Sequence, residues 1–153
     1  MTLQTYLAVT AAANLIWEMA HLPLYSIWST GTAGENFFAV VHCTGGDLLI
    51  ALSTLAIALV FFGNRDWPAQ SYWRVASVST LLGIAYTTFS EWLNIVIRKS
   101  WEYSNLMPVV SVSEFEVGLS PLLQWMFVPG LALWLARKRG LARHANIQVD
   151  PPL

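Results

Sequence analysis

Residues 89–101, FSEWLNIVIRKSW, read as an apolar helix that carries a carboxylate, Glu91, where a lipid-facing side chain would be expected. Seventy-three residues earlier stands a counterpart, Trp17 to Trp28, WEMAHLPLYSIW. Glu91 answers Glu18, Asn94 answers His21, Arg98 answers Tyr25, Trp101 answers Trp28 and, one step N-terminal, Thr87 answers Asn14. Positions 14, 18, 21, 25 and 87, 91, 94, 98 both advance by 4, 3 and 4, so each set follows one face of a helix. Two apolar helices thus each show a single polar stripe. Inside a membrane such a stripe faces protein or a cavity rather than lipid.

Composition agrees with a membrane setting. Of 153 residues, 56% are hydrophobic and only 11% charged, against about 25% charged in soluble domains. The mean hydropathy is +0.51. A net charge of −1 supplies no basic face to neutralise phosphates, which argues against a nucleic-acid partner. The single cysteine, Cys43, excludes an internal disulfide and a CxxC pair, and with them a thiol-redox four-helix membrane enzyme. The N-terminal run has no basic n-region and continues past Glu18 and His21 without a small-residue cleavage site, so it reads as a permanent first span.

The fold class expected is all-α: a polytopic membrane protein of four transmembrane helices, at about 3–24, 37–62, 75–97 and 117–136. These form one domain, 1–137, followed by a cytoplasmic basic tail, 138–153, ending in a disordered VDPPL. Between spans one and two lies a polar link, 29–36. The longest link, 98–116, contains Pro108 and the β-branched run VVSVS, and suggests a short extended or interfacial segment over the site. Arg65, Arg74, Arg137, Lys138, Arg139 and Arg143 fall on one side, only Arg98 and Lys99 on the other. The positive-inside rule then puts both termini in the cytoplasm, with the Glu-bearing ends of spans one and three outward. Trp28, Trp67, Trp73, Trp101 and Trp134 fall near span ends, where indoles anchor at headgroups. Trp17, Trp92 and Trp125 sit within spans, near the polar residues.

The offset of 73 also lays span two on span four, Gly45 on Gly118, Asp47 on Ser120, Leu49 on Leu122 and Ala51 on Gln124. Each unit would hold two spans and keep its orientation, as in parallel repeats about an axis along the membrane normal. Spans one and three would then face each other across that axis. Gly45-Gly46 reads first as a close helix contact, with a local opening of the helix as the alternative.

Five groups able to ionise or bind a metal lie in the outward half: Glu18, His21, His42, Asp47 and Glu91. Asn14, Thr44, Thr87, Asn94, Ser120 and Gln124 are polar support. An acid near the centre of a span costs at least about 2.5–3.5 kcal/mol, so this many must satisfy one another. Three readings follow. Glu91 and Glu18 could serve as acid and base on a lipid-soluble substrate, with His21, His42 and Asp47 as proton relay; Trp17, Trp92, Trp125, Asn94 and Gln124 would line the ligand, the indole faces meeting a developing carbocation. Alternatively, His21, His42, Glu18 and Asp47 could hold a single metal ion, or the two histidines a haem, in a redox or accessory subunit. Glu18-x-x-His21 has the spacing of di-metal bundles, but its counterpart is Glu91-x-x-Asn94, so a dinuclear set is incomplete. The third reading is a hydrogen-bonded network joining helices in a structural membrane partner without chemistry. The partners implied are the bilayer, a small lipid-soluble ligand and, in one variant, a second copy of the chain.

WEMAHLPLY, HCTGGD, FSEWLN, WEYSNLMPV and GLSPLLQW together resemble a family of small four-span bacterial inner-membrane proteins with no assigned activity. The resemblance spans about residues 10–137. It implies the membrane and the four spans and nothing about a substrate.

Overall fold

A computed structural model of the chain describes residues 2–112 and 114–149, with the side chains of Thr2 and of residues 143–149 left aside. It is mostly helical. Helix α1 spans Thr2–His21 and ends where Pro23 approaches, because a residue preceding proline disfavours the helical region. A 3₁₀ turn at Leu22–Leu24 and a short helix, α2, at Ile27–Thr30 follow. Helix α3, Ala33–Phe62, starts four residues before the span expected from hydropathy. The cause is a capping box. Thr32 Oγ1 accepts from the Glu35 backbone N–H at 3.3 Å, and Glu35 Oε2 accepts from the Thr32 N–H at 2.8 Å.

Helix α4 spans Tyr72–Glu91 and widens into a π-helical stretch at Trp92–Ile97. The chain leaves it through Lys99 in the left-handed region, φ 52°. The link beyond contains an antiparallel hairpin, β1 (Val109–Val112) with β2 (Phe115–Gly118), in the register Val109↔Gly118. An extended segment is therefore present there, in an otherwise helical chain. Helix α5 runs from Leu119 to Val149. Pro121 falls in its first turn, where an N–H has no helical partner in any case. Pro129 is absorbed without ending the helix. The basic residues from Arg137 onward continue the helix instead of leaving it as a tail; residues 150–153, most of the segment expected to be disordered, lie outside the described residues.

Helix α1 packs against α3 and α5, and α4 packs against the same two, so α1 and α4 lie across the bundle from each other. At the end holding the start of α1 and the later turns of α3 and α5, Tyr6, Leu55, Val75 and Leu133 form an apolar core. Ala51, Ala58, Ala132 and Ala136 join it and let the helices approach. At the other end the helices diverge: in the first half of α3, up to Ile50, only Val40 is buried.

The distribution of polarity is inverted relative to a water-soluble domain. Thr10, Asn14, Glu18, His21, Thr87, Glu91, Asn94, Ser120 and Gln124 are buried. Ile16, Phe37, Val60, Leu81, Phe127 and many other large apolar side chains are exposed. Two helical segments, Ala33–Phe62 and Leu119–Ala142, are long and apolar enough to cross a membrane, with mean hydropathies of 2.1 and 1.4.

Candidate functional site

Where the helices diverge they enclose a cavity of about 650 Å³. The C-terminal turns of α1 and α4, the first half of α3 and the first turns of α5 form its walls. Glu18, His21, His42, Asp47 and Glu91 all line it.

Three helices contribute to one hydrogen-bonded cluster. His21 and Glu18 stand three residues apart on α1, and His21 Nε2 meets Glu18 Oε2 at 3.1 Å. His21 Nδ1 lies 3.0 Å from Ser120 Oγ, which in turn accepts from Trp17 Nε1 at 3.2 Å. The arrangement is self-consistent when Ser120 donates to Nδ1 and the imidazole donates through Nε2 to the carboxylate; this tautomer is assigned from the partners. Gln124, one turn along α5 from Ser120, brings its amide between two acids. Its Nε2 donates to Asp47 Oδ2 at 2.7 Å, Glu18 Oε1 at 2.9 Å and Asn14 Oδ1 at 3.1 Å. Two N–H bonds serve three acceptors, so one proton is shared. The Glu18 and Asp47 oxygens are no further apart than those two bonds laid end to end.

Glu91 occupies a second cluster across the cavity. The Tyr103 hydroxyl donates to Glu91 Oε2 and accepts from the Gly118 N–H at 2.7 Å. The Tyr25 hydroxyl reaches both carboxylate oxygens at 3.5 Å. Burial, and then the negative charge of Glu91, push the Tyr103 phenol far above its usual value, so it remains a donor. The tyrosines are held by backbone pairing of their two segments: Tyr25 and Tyr103 form an antiparallel bridge, flanked by Ser26 N to Glu102 O at 2.9 Å and Ser104 N to Leu24 O at 2.8 Å. The His21 ring sits edge-on to Tyr25, centroids 5.4 Å apart, and joins the clusters. Glu91 lies at the point where α4 becomes π-helical. Such bulges recur at functional sites because they re-aim the following side chains.

The remaining sequence-derived candidates divide. Asn94, Gln124 and Trp125 line the cavity. Trp17 and Trp92 do not: Trp17 stacks on Phe127 and Trp92 packs by Phe89. His42 lines the cavity but is exposed, its ring stacked on Phe38 at 5.4 Å. Among the described residues no three His, Cys, Asp or Glu side chains come close enough to hold a metal ion. The set His21, His42, Glu18 and Asp47 is therefore not assembled as ligands. Nor does the histidine pair fit a haem, because both His21 nitrogens are already engaged.

Gly45 and Gly46 correct another expectation. A Cβ at either would meet nothing within 4 Å, and α3 runs unbroken through both, so they mark neither close packing nor an opened helix. Gly46 instead widens the cavity it lines. The close approach is at Gly83, where a Cβ would lie 2.1 Å from the Trp125 ring.

Sequence reasoning did not single out Tyr103 as a site residue. Only the pairing of segments 22–26 and 102–104 brings it to Glu91, and no local pattern announces that. Compared with protein-family models, curated proteins and solved structures, the chain has no match.

Proposed function

We propose that the chain is a four-span bacterial inner-membrane protein that binds a small lipid-soluble molecule in this cavity and acts on it by acid–base chemistry. One observation carries the reading: the ionisable side chains of three helices turn into a single 650 Å³ cavity while the outer surface of the same helices is apolar. A space of 300–1,000 Å³ with few, convergent polar groups suits a small ligand.

All four long helices are taken as spans. At 20 residues each, α1 and α4 are roughly 30 Å long, the thickness of the hydrocarbon core. Their buried polar faces lower their average hydropathy, but Leu15, Ile16 and Met19 on α1 and Leu81 and Phe89 on α4 present apolar carbon outward. Exposed Trp28 and Trp73, near helix ends, suit headgroup anchoring. The doubled two-helix unit is kept as part of this reading, and the packing is compatible with it, as with any ring of four helices. Exchanging α1 with α4 and α3 with α5 turns each helix–helix interface into another that exists.

In this reading Glu91, which accepts from the Tyr103 hydroxyl, serves as the base. Glu18 and Asp47, bridged by the Gln124 amide, serve as the acid pair, with His21 and Ser120 as the relay. Trp125, forming one wall, presents its ring to positive charge developing on the ligand.

The test is a comparison of organic extracts from membranes carrying wild type, Glu91→Gln or Glu18→Gln, by mass spectrometry. A species consumed or formed with wild type, and changed at least tenfold less with each variant, is expected. Identical extracts from all three, with nothing bound to purified wild type, would remove the reading and leave a network that only joins helices.

A further inference from the structure

The cavity is not closed on all sides. Eight of its lining residues are exposed: Gly34, Glu35, Arg98 and Ser100 at the polar end, and four more along the sides of two helices. Phe38, His42 and Leu49 are on the first half of α3 and Tyr86 is on the second half of α4. With Gly46, the α3 residues advance by 4, 4 and 3, so they share one face of that helix. One mouth therefore lies between α3 and α4, along the sides of helices whose outward surface is apolar, and its rim is aromatic and aliphatic apart from the His42 imidazole; the opening continues at the polar end past Glu35, Arg98 and Ser100.

Behind that rim acidic side chains predominate. Glu18, Asp47 and Glu91 face the cavity, and Glu35 stands at its edge. Glu91 is 5% exposed, yet its Oε1 is met only by the Tyr25 hydroxyl at 3.5 Å among the described residues, too long to satisfy a buried carboxylate. His21 gives its nitrogens to Glu18 and Ser120. Arg98 also lines the cavity, but it is exposed and forms no ion pair among the described residues. The interior thus offers acceptors and negative charge, with the rings of Tyr86 and Trp125 alongside, which suit a cation.

From this juxtaposition we infer that the ligand is a single-chain amphiphile with a protonated amine head. It passes sideways from the bilayer between α3 and α4, leaves its chain against Phe38, Leu49 and Tyr86, and places its nitrogen at Glu91. This rests on the proposed function and narrows the ligand class. The donors that argue the other way are Arg98 and the buried, unpartnered Nε1 of Trp101, both on the cavity wall. They would favour an anionic head, which becomes the opposing arm of the test.

The experiment uses the full chain in zwitterionic phosphatidylcholine nanodiscs, with radiolabelled dodecylamine and dodecanoate as probes and empty nanodiscs as the baseline. Saturable binding of about one dodecylamine per chain is expected, with none for dodecanoate. Glu91→Gln is expected to weaken it at least tenfold. Leu49→Trp, which fills the mouth without touching a carboxyl, is expected to slow uptake at least fivefold while thermal stability stays at the wild-type value. Saturable dodecanoate binding lost in Arg98→Ala would overturn the inference, as would absence of saturable amine binding. Amine uptake unchanged in Leu49→Trp would overturn the sideways route. Extracts that still depend on Glu91 while no amine binds would remove the amine alone and leave the acid–base reading standing.

Discussion

Gly83→Ala sets two opposing effects against each other, and the sign of the result reports the packing of α4 on α5. In an exposed helix interior, alanine is favoured over glycine by about 0.8–1.0 kcal/mol. At position 83, however, the new Cβ would lie 2.1, 2.4 and 2.9 Å from Trp125 Cε3, Cζ3 and Cδ2. Carbon atoms need about 3.5–4.0 Å, so the indole must retreat by roughly 1.5 Å. Trp125 is 3% exposed and belongs to the apolar core, so a rigid ring has nowhere to swing except into the cavity. Forced overpacking costs about 1–3 kcal/mol, which outweighs the helix gain over most of its range. We expect a net loss of about 0–2 kcal/mol, read as a fall in the thermal unfolding temperature in mild detergent. Trp125→Phe shortens the ring, so the pair Gly83→Ala/Trp125→Phe should lose less than the two singles added together. A stabilised Gly83→Ala protein, or strictly additive variants, would refute the contact.

Three further outcomes follow from the same geometry. Gln124→Leu removes the amide between Glu18 and Asp47 and should lower stability by about 1–3 kcal/mol for each acceptor left without a partner; equal melting temperatures would show that the amide does not bridge them. Tyr103→Phe takes a donor from Glu91 and the acceptor from the Gly118 N–H, a loss of about 1.5–3 kcal/mol. Because the fold holds the Tyr103 proton above the usual phenol range, the unfolded chain releases it first. Wild-type stability should therefore be intact below about pH 10 and decline above it, less steeply in Tyr103→Phe; parallel pH profiles would contradict this. Thr32→Ala, which opens the capping box of α3, should cost about 1 kcal/mol, and no change in melting would mean that this end of the helix frays.

The polar stripes were legible because polarity is scarce in this chain. Asn14, Glu18 and His21, and Thr87, Glu91 and Asn94, stand out at helical spacing, and all six are buried in the bundle. The start of α3 was legible too, since Thr32-x-x-Glu35 is a capping signature, but hydropathy alone places the boundary at the first phenylalanine. What periodicity cannot supply is long-range pairing. Tyr103 meets Glu91 only because the link after α4 folds back onto residues 22–26. His42 sits at the exposed mouth because α3 diverges from the bundle there, and its spacing carries no trace of that. Glycine is equally silent: Gly83 takes the Trp125 ring and Gly45-Gly46 takes nothing, although both sit in apolar helices.

The central claim is that all four long helices cross the bilayer with their polar faces turned inward. The direct measurement is the accessibility of spin labels to oxygen and to a water-soluble nickel complex in reconstituted protein, with Cys43 replaced. Labels go singly at Ile16, Val60, Leu81 and Leu131, exposed positions on α1, α3, α4 and α5. The account predicts that all four report hydrocarbon, with oxygen relaxing them and nickel excluded. Water-like accessibility at Ile16 or Leu81 would contradict it, because α1 or α4 would then lie outside the membrane and the acids they carry would have no reason to share a buried cavity.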